Sequence, residues 1–166
     1  MTNGRKPRYI TPDGFRRLSE EQQEIWSVLR PRIVAEVEAA AALGDRSENA
    51  EYKYGKQKLR ELDRRLRFLS LRMDELTVVA PEPHAAGRAY FGAWVTVEDE
   101  EGEARTWRLV GPDEFDVGRG LLSVEAPLGR ALLGKREGDP VRYQPPGGEV
   151  ELIVVEVRWS ARPGTE

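Results

Sequence analysis

The sequence predicts two modules: an N-terminal antiparallel two-helix coiled-coil hairpin, then a small α+β domain with an antiparallel sheet and one helix. Three observations predict it. From about residue 11 to residue 79 the apolar residues step by three and four. A break at Gly44 and Asp45 divides that run into two segments joined by a connection short enough to make them antiparallel neighbours. Beyond residues 80–87, rich in Pro, Ala and Gly, the rhythm changes to period two. The expected boundaries are 1–80 for the hairpin with its turn near 43–49, 81–87 for a linker, 88–160 for the second domain and 161–166 for a tail.

The first helix has a start signal in Thr11 and Pro12, an N-cap residue followed by proline at the first helical position. Phe15, Leu18, Gln22, Ile25 and Leu29 then share one face. Pro31 removes a backbone donor, which fits either a kinked helix or two shorter ones, and the seam shifts there to Ile33, Val37 and Ala40. Gly44 can adopt the conformation that closes a helix, and Asp45 can cap the next one, with Glu48 completing a capping box. In the second segment Tyr52, Leu59, Leu62, Leu66, Leu69, Met73 and Leu76 keep one heptad seam, weakened locally by Gly55. Each segment is about 30 residues, hence roughly 45 Å if helical.

The second module reads as strands over 93–98 and 103–110 around a turn at 99–102, a short strand at 121–124, a helix over 127–133 ended by Gly134, and strands at 141–144 and 150–159 flanking a Pro-Pro-Gly-Gly turn. About 75 residues of this kind suffice for a small domain.

Composition removes whole classes of chemistry. The chain has 166 residues, no cysteine and one histidine, so thiol catalysis, disulfides and the usual structural zinc sets are excluded. His84 sits among prolines in the expected linker and reads as a solvated side chain. No apolar run approaches the roughly 20 residues that span a bilayer, and no secretory signal opens the chain. A cytoplasmic monomer without membrane contact is expected. The net charge of −3 does not announce a polyanion binder, so charge has to be read locally.

Three constellations stand out. Asp45 and Glu48, three apart at the expected turn, can join the shell of a metal ion or orient water; spacing alone favours simple helix capping. Between Lys53 and Arg72, eight cations face two acids, leaving +6. Lys53, Lys56, Arg60, Arg64 and Arg67 step by three or four and form one stripe, suited to a phosphate backbone. The alternative is a solvated flank paired with first-helix acids such as Glu20, Glu21, Glu24, Glu36 and Glu38. The third is the segment 125–139 around Glu125, Pro127 and Arg130, which holds no nucleophile, metal cluster or phosphate loop and reads as scaffold or docking surface.

Together these segments resemble the Gre family of bacterial transcript cleavage factors over nearly the whole chain, from Tyr9 to Trp159. The resemblance is carried by residues 30–33, 44–54, 59–69, 90–94 and 127–139; the 59–69 run and Phe91, Gly92, Ala93 and Trp94 favour the GreB branch over GreA. It implies a coiled-coil hairpin followed by an FKBP-like domain, with no isomerase activity implied by that fold. It implies bacterial RNA polymerase as partner, with the C-terminal domain docked at the rim of the secondary channel through the region of Glu125, Pro127 and Arg130. Asp45 and Glu48 would act catalytically by helping to hold a second Mg²⁺ in the polymerase active site, and no cofactor would be bound by the isolated chain. The basic stripe would hold the nascent RNA 3′ end of a backtracked complex. The resemblance thus reverses the weighing of the turn carboxylates. Gln57 stands where GreB usually offers another cation, and Glu125 and Ala126 replace an Asp-Ser pair. Two rival readings are a non-cleaving channel-binding regulator of the same architecture and a basic coiled-coil RNA binder without a polymerase partner.

Overall fold

The computed structural model describes residues 6–44, 49–84 and 86–160. The elements run β1 (Arg8–Ile10), α1 (Pro12–Glu24), a π-helical turn (Ile25–Leu29), α2 (Arg30–Ala41), α3 (Ala50–Glu75), β2 (Leu76–Val78), β3 (Trp94–Glu98), β4 (Ala104–Val110), β5 (Leu121–Ser123), α4 (Pro127–Leu132), β6 (Pro140–Tyr143) and β7 (Val150–Arg158). Two compact units result: Phe15–Leu76, and the residues up to Gly14 together with those from Thr77 onward. The division expected near residue 80 therefore falls at Thr77, and the N-terminal strand groups with the second unit.

In the helical unit, α1 and α2 run antiparallel to α3: Arg65 meets Glu21 of α1, Arg30 of α2 meets Asp63, and Asn49 meets Ala40 of α2. The middle of the expected seam packs together, and Leu76, expected to extend it, lies in β2 instead. Ile25, Leu62 and Leu69 are buried, with Leu18, Leu29, Ile33 and Leu66 packed against them. Gly55 has a packing reason. A Cβ there would lie 2.5 Å from Val37 Cγ2, so the missing side chain lets Val37 seat against α3. The disturbance expected at Pro31 takes the form of a π turn just before it, between α1 and α2. The residues on both sides of the π turn keep helical dihedrals, and the Arg30 N–H donates to the Ile25 carbonyl, five residues back. Widening the turn by one residue accommodates a proline that lacks a donor and also moves the seam from Leu29 to Ile33, Val37 and Ala40.

Three other expectations are corrected. The second helix does not run to residue 79; it ends at Glu75, and Leu76–Val78 pairs with Arg8–Ile10 as a two-stranded sheet. The β-branched Thr77, Val78 and Val79 favour extended backbone, and the Val79 N–H donates to the Ile10 carbonyl at 2.9 Å. The cap of α3 is Asn49, whose Oδ1 accepts from the Tyr52 N–H at 3.1 Å. The capping role expected of Asp45 is thus filled by a residue four positions on. Finally, the larger sheet is mixed. Its order is β5-β4-β3-β7-β6, and β4 pairs with β5 in parallel. Two 3₁₀ turns, Pro112–Glu114 and Val117–Arg119, occupy the connection and return the chain to β5 in the same direction as β4.

The sheet unit is built around one apolar cluster. Val95 and Val97 of β3, Leu109 of β4, Val141 of β6 and Val154 of β7 are buried beneath Leu128 and Leu132, which lie four apart on α4. The same unit buries an acid. Glu114 accepts from the Thr11 hydroxyl, from the Thr11 N–H at 3.0 Å and from the Gly111 N–H at 3.0 Å. Thr11 in turn caps α1, its Oγ1 accepting from the Gly14 N–H at 3.1 Å. Among the described residues no helix is long and apolar enough to cross a membrane.

Candidate functional site

Among the described residues, Asn49 links the end of α2 to the start of α3. Asn49 accepts from Tyr52 with its oxygen, while its amide nitrogen donates to the Ala40 carbonyl at 2.8 Å. The end of α2 and the start of α3 are thereby held side by side. Gly44, with φ +123°, takes the chain out of α2 through backbone geometry that other residues rarely adopt. Asp45 and Glu48, expected to be catalytic and metal-binding, belong to the connection that follows and lie outside the described residues. Among the described residues no cluster of three or more His, Cys, Asp or Glu could hold a metal ion.

The basic stripe is present as read. Lys53, Lys56, Arg60, Arg64 and Arg67 are all exposed on α3. At 100° per residue they fall within an arc of about 80°, roughly opposite the buried Leu62 and Leu69, and extend over about 21 Å of helix. Among the described residues none of the five enters an ion pair. The cations beside the stripe behave differently. Arg65 grips Glu21 through Nε at 2.6 Å and a terminal nitrogen at 2.9 Å. Arg30 donates to Asp63 at 2.8 Å, Lys58 lies 3.7 Å from Glu61, and Arg72 lies 4.0 Å from Glu75. Hydrogen bonding to Asp63, reinforced by its charge, holds the Arg30 guanidinium above its ordinary range. The bond to Glu21 does the same for Arg65. The pairing of α3 with first-helix acids, the alternative reading of its charge, is therefore met by Arg65 rather than by the stripe. The five aligned cations are thus the charge of α3 that no ion pair compensates among the described residues.

The segment around α4 has a defined corner. Pro127 opens the helix, and Arg130 returns its Nε to the Glu125 carbonyl at 2.7 Å. The Glu125 N–H donates to Ser123 Oγ at 3.1 Å, and Glu125, Pro127 and Arg130 all remain exposed. His84, exposed as expected, accepts from the Ala86 N–H at 3.3 Å.

Two features escape a reading of the sequence. Trp26 follows the buried Ile25 yet is 62% exposed, and the Arg30 guanidinium sits 5.8 Å from its ring centre. A tryptophan next to a seam position is the only signal, and it does not say which of the two faces inward. Asn49 is the other: a good capping type, but one among several capping types in a row.

Comparison with known proteins accounts for nearly all of the chain. Residues 8–78 match the model of the N-terminal domain of transcription elongation factors, and residues 83–158 match the GreA/GreB C-terminal model. A Pseudomonas aeruginosa protein named transcription elongation factor GreB is 49% identical over 98% of this chain and 100% of its own length. A Yersinia pestis protein of the same name is 49% identical over 93% of this chain and 90% of its length. Among solved structures, the GreA factor homolog Gfh1 of Thermus thermophilus is similar at 22% identity and a TM-score of 0.41, covering 92% of this chain and 99% of that one. On the two domain matches and the near full-length identity, the chain belongs to the GreA/GreB family of transcription elongation factors.

Proposed function

We propose that this chain is an elongation factor that enters the secondary channel of bacterial RNA polymerase and stimulates the polymerase to cleave backtracked RNA. The observation that carries the reading is the 49% identity, across 98% of the chain, to a protein named for that class of factor. The geometry supports it in two ways. The antiparallel pairing of α2 and α3 brings their linked ends together, so that Asp45 and Glu48 belong to the segment joining them. The N-cap of α3 is Asn49, one position after Glu48, so both carboxylates precede that helix in sequence.

In this reading the chain is not itself the hydrolase. Asp45 and Glu48 would add two carboxylates to a Mg²⁺ ion in the polymerase active site, where such an ion activates water and stabilises charge on the departing oxygen. The stripe from Lys53 to Arg67 would hold the extruded RNA 3′ segment by its phosphates. Glu125, Pro127 and Arg130 would dock the sheet unit at the channel rim. The finer fold reading, a coiled-coil hairpin followed by an FKBP-like module, belongs to the same proposal; the helix pair with its heptad seam and the mixed five-stranded sheet with one helix support it.

The test is a stalled, backtracked elongation complex supplied with Mg²⁺. The unaltered chain is expected to shorten the transcript. The double variant Asp45→Ala, Glu48→Ala is expected to lose stimulation about a hundredfold, the scale of removing charge-stabilising groups from a reacting centre. Its binding to polymerase should stay within about twofold, since surface substitutions perturb little beyond their own contacts. Cleavage by the double variant at the unaltered rate would falsify the assignment of these carboxylates.

A further inference from the structure

We propose that Trp26 and Arg67 form a subsite for one nucleotide of single-stranded RNA, the base stacking on the indole and the phosphate meeting the guanidinium. The proposal deepens the reading above and rests on it only for the presence of an RNA strand along α3.

Four observations converge on this place. Trp26 is 62% exposed, an unusual position for the largest apolar side chain in a chain with four tryptophans. It is braced: the Arg30 guanidinium lies 5.8 Å from the ring centre, and Arg30 is itself held by Asp63 at 2.8 Å. Trp26 also sits in the π-helical turn Ile25–Leu29, and such turns are frequent at functional sites. Finally, it borders a groove of about 390 Å³ whose other walls are Gln22, Gln23, Leu66, Arg67 and Ser70.

Charge complementarity names the occupant. Arg67 is the last cation of the stripe, unpaired among the described residues, and no acid lines the groove. A strand tracked by its phosphates along Lys53, Lys56, Arg60 and Arg64 therefore arrives at Arg67 with a base free to turn toward an aromatic face. Single-stranded RNA is recognised by this combination of cation and stacking platform. The two glutamines and Ser70 offer donors and acceptors to a base edge, although the Gln23 amide nitrogen already donates to Ser27 at 2.8 Å.

The experiment titrates the full chain, without polymerase, against two labelled strands of equal length and charge, an oligoadenylate and an abasic phosphodiester. The unaltered chain should prefer the oligoadenylate. Trp26→Ala should weaken oligoadenylate binding about tenfold, the scale of one lost base–aromatic stack, while abasic binding stays within about twofold. Trp26→Tyr should restore most of the preference, and Arg67→Gln should weaken both strands alike. The exposure of Trp26 makes the Ala variant compatible with folding, which a circular dichroism melt checks. Undiminished oligoadenylate binding by Trp26→Ala overturns the proposal, as does a lack of preference, or of any binding, in the unaltered chain. So does a Trp26→Ala variant that keeps RNA binding and loses affinity for polymerase, because the groove then serves a protein surface. A chain that passes these titrations but fails to shorten backtracked transcripts sinks the cleavage reading and leaves the subsite standing.

Discussion

The helical unit and the sheet unit bury themselves differently. The sheet unit gathers ten buried apolar residues in one cluster, among them Val95, Leu109, Leu132 and Val154. The cluster of the helical unit holds three, Ile25, Leu62 and Leu69, with Ala40 buried apart from it. Two antiparallel helices bury only the stripe they share, so most of their surface faces water whatever the sequence. Among the described residues, that surface divides into cations held in ion pairs and cations outside them. In the sheet unit polarity is turned inward instead, where Glu114 satisfies Thr11 and Gly111. A narrow seam leaves a long outward face open for function; a compact core confines function to its exposed corners.

The contrast is broken most forcefully at Leu69, which is wholly buried. Leu69→Ala should cost about 3 kcal/mol, the ordinary range for a buried leucine truncated to alanine. In a cluster with two other buried members, that loss should fall on the helical unit, seen as a lowered urea midpoint of the 222 nm circular dichroism signal. Leu109→Ala removes the same group from a cluster of ten and should leave that helical signal largely in place until the sheet unit melts. A cost below about 1 kcal/mol for Leu69→Ala would mean that the seam is not what joins the helices.

The same contrast explains what could be read from the sequence. Long periodic segments declare themselves: the α3 seam, the strands around the Asp99 turn and the α4 helix opened by Pro127 all appear where the pattern puts them. Short elements do not. Three residues at Arg8–Ile10 and three at Leu76–Val78 carry no period, and their pairing is a contact across most of the N-terminal half. The parallel pairing of β4 with β5 depends on how the connecting 3₁₀ turns steer the chain, which alternation cannot encode. Pro31 announced a disturbance, but whether a helix answers with a kink or a π turn depends on the partner helix that keeps Ile25 and Leu62 in contact. At the candidate site, spacing revealed the stripe and could not reveal which cations are free. Arg64 and Arg65 are identical in type and adjacent in sequence, and only the fold sets one beside Glu21.

A second substitution sharpens the division between structure and surface. Lys56→Glu with Arg60→Glu touches two exposed cations with no ion pair among the described residues. Stability should stay within about 0.5 kcal/mol of the unaltered chain. Affinity for single-stranded RNA should fall at least tenfold, and the slope of log affinity against log salt should shrink by about 1.4, near 0.7 for each lost phosphate contact. In backtracked complexes, long extruded segments should lose more capture than short ones, because only they reach along the helix. Equal loss for both lengths would remove the stripe as a track.

The finest test uses the two neighbouring arginines. Arg65 forms a fork with Glu21 and supports the helix pair; Arg64 faces solvent with no ion pair among the described residues. Arg65→Ala should lower stability by about 0.5 kcal/mol, the scale of an exposed ion pair, with little change in the RNA salt slope. Arg64→Ala should do the reverse, leaving the urea midpoint unchanged and reducing the slope by about 0.7. The bond to Glu21 raises the Arg65 pKa above its ordinary value, so the stabilisation is fully present below that value and fades only as pH climbs through the raised one, in strongly alkaline solution. Between neutral and moderately alkaline pH the Arg65→Ala deficit should therefore hold steady, whereas added salt should shrink it. If both alanine variants changed the same observable, the sorting of α3 cations into fasteners and free charges would fail at the one point where sequence position and residue type are held equal.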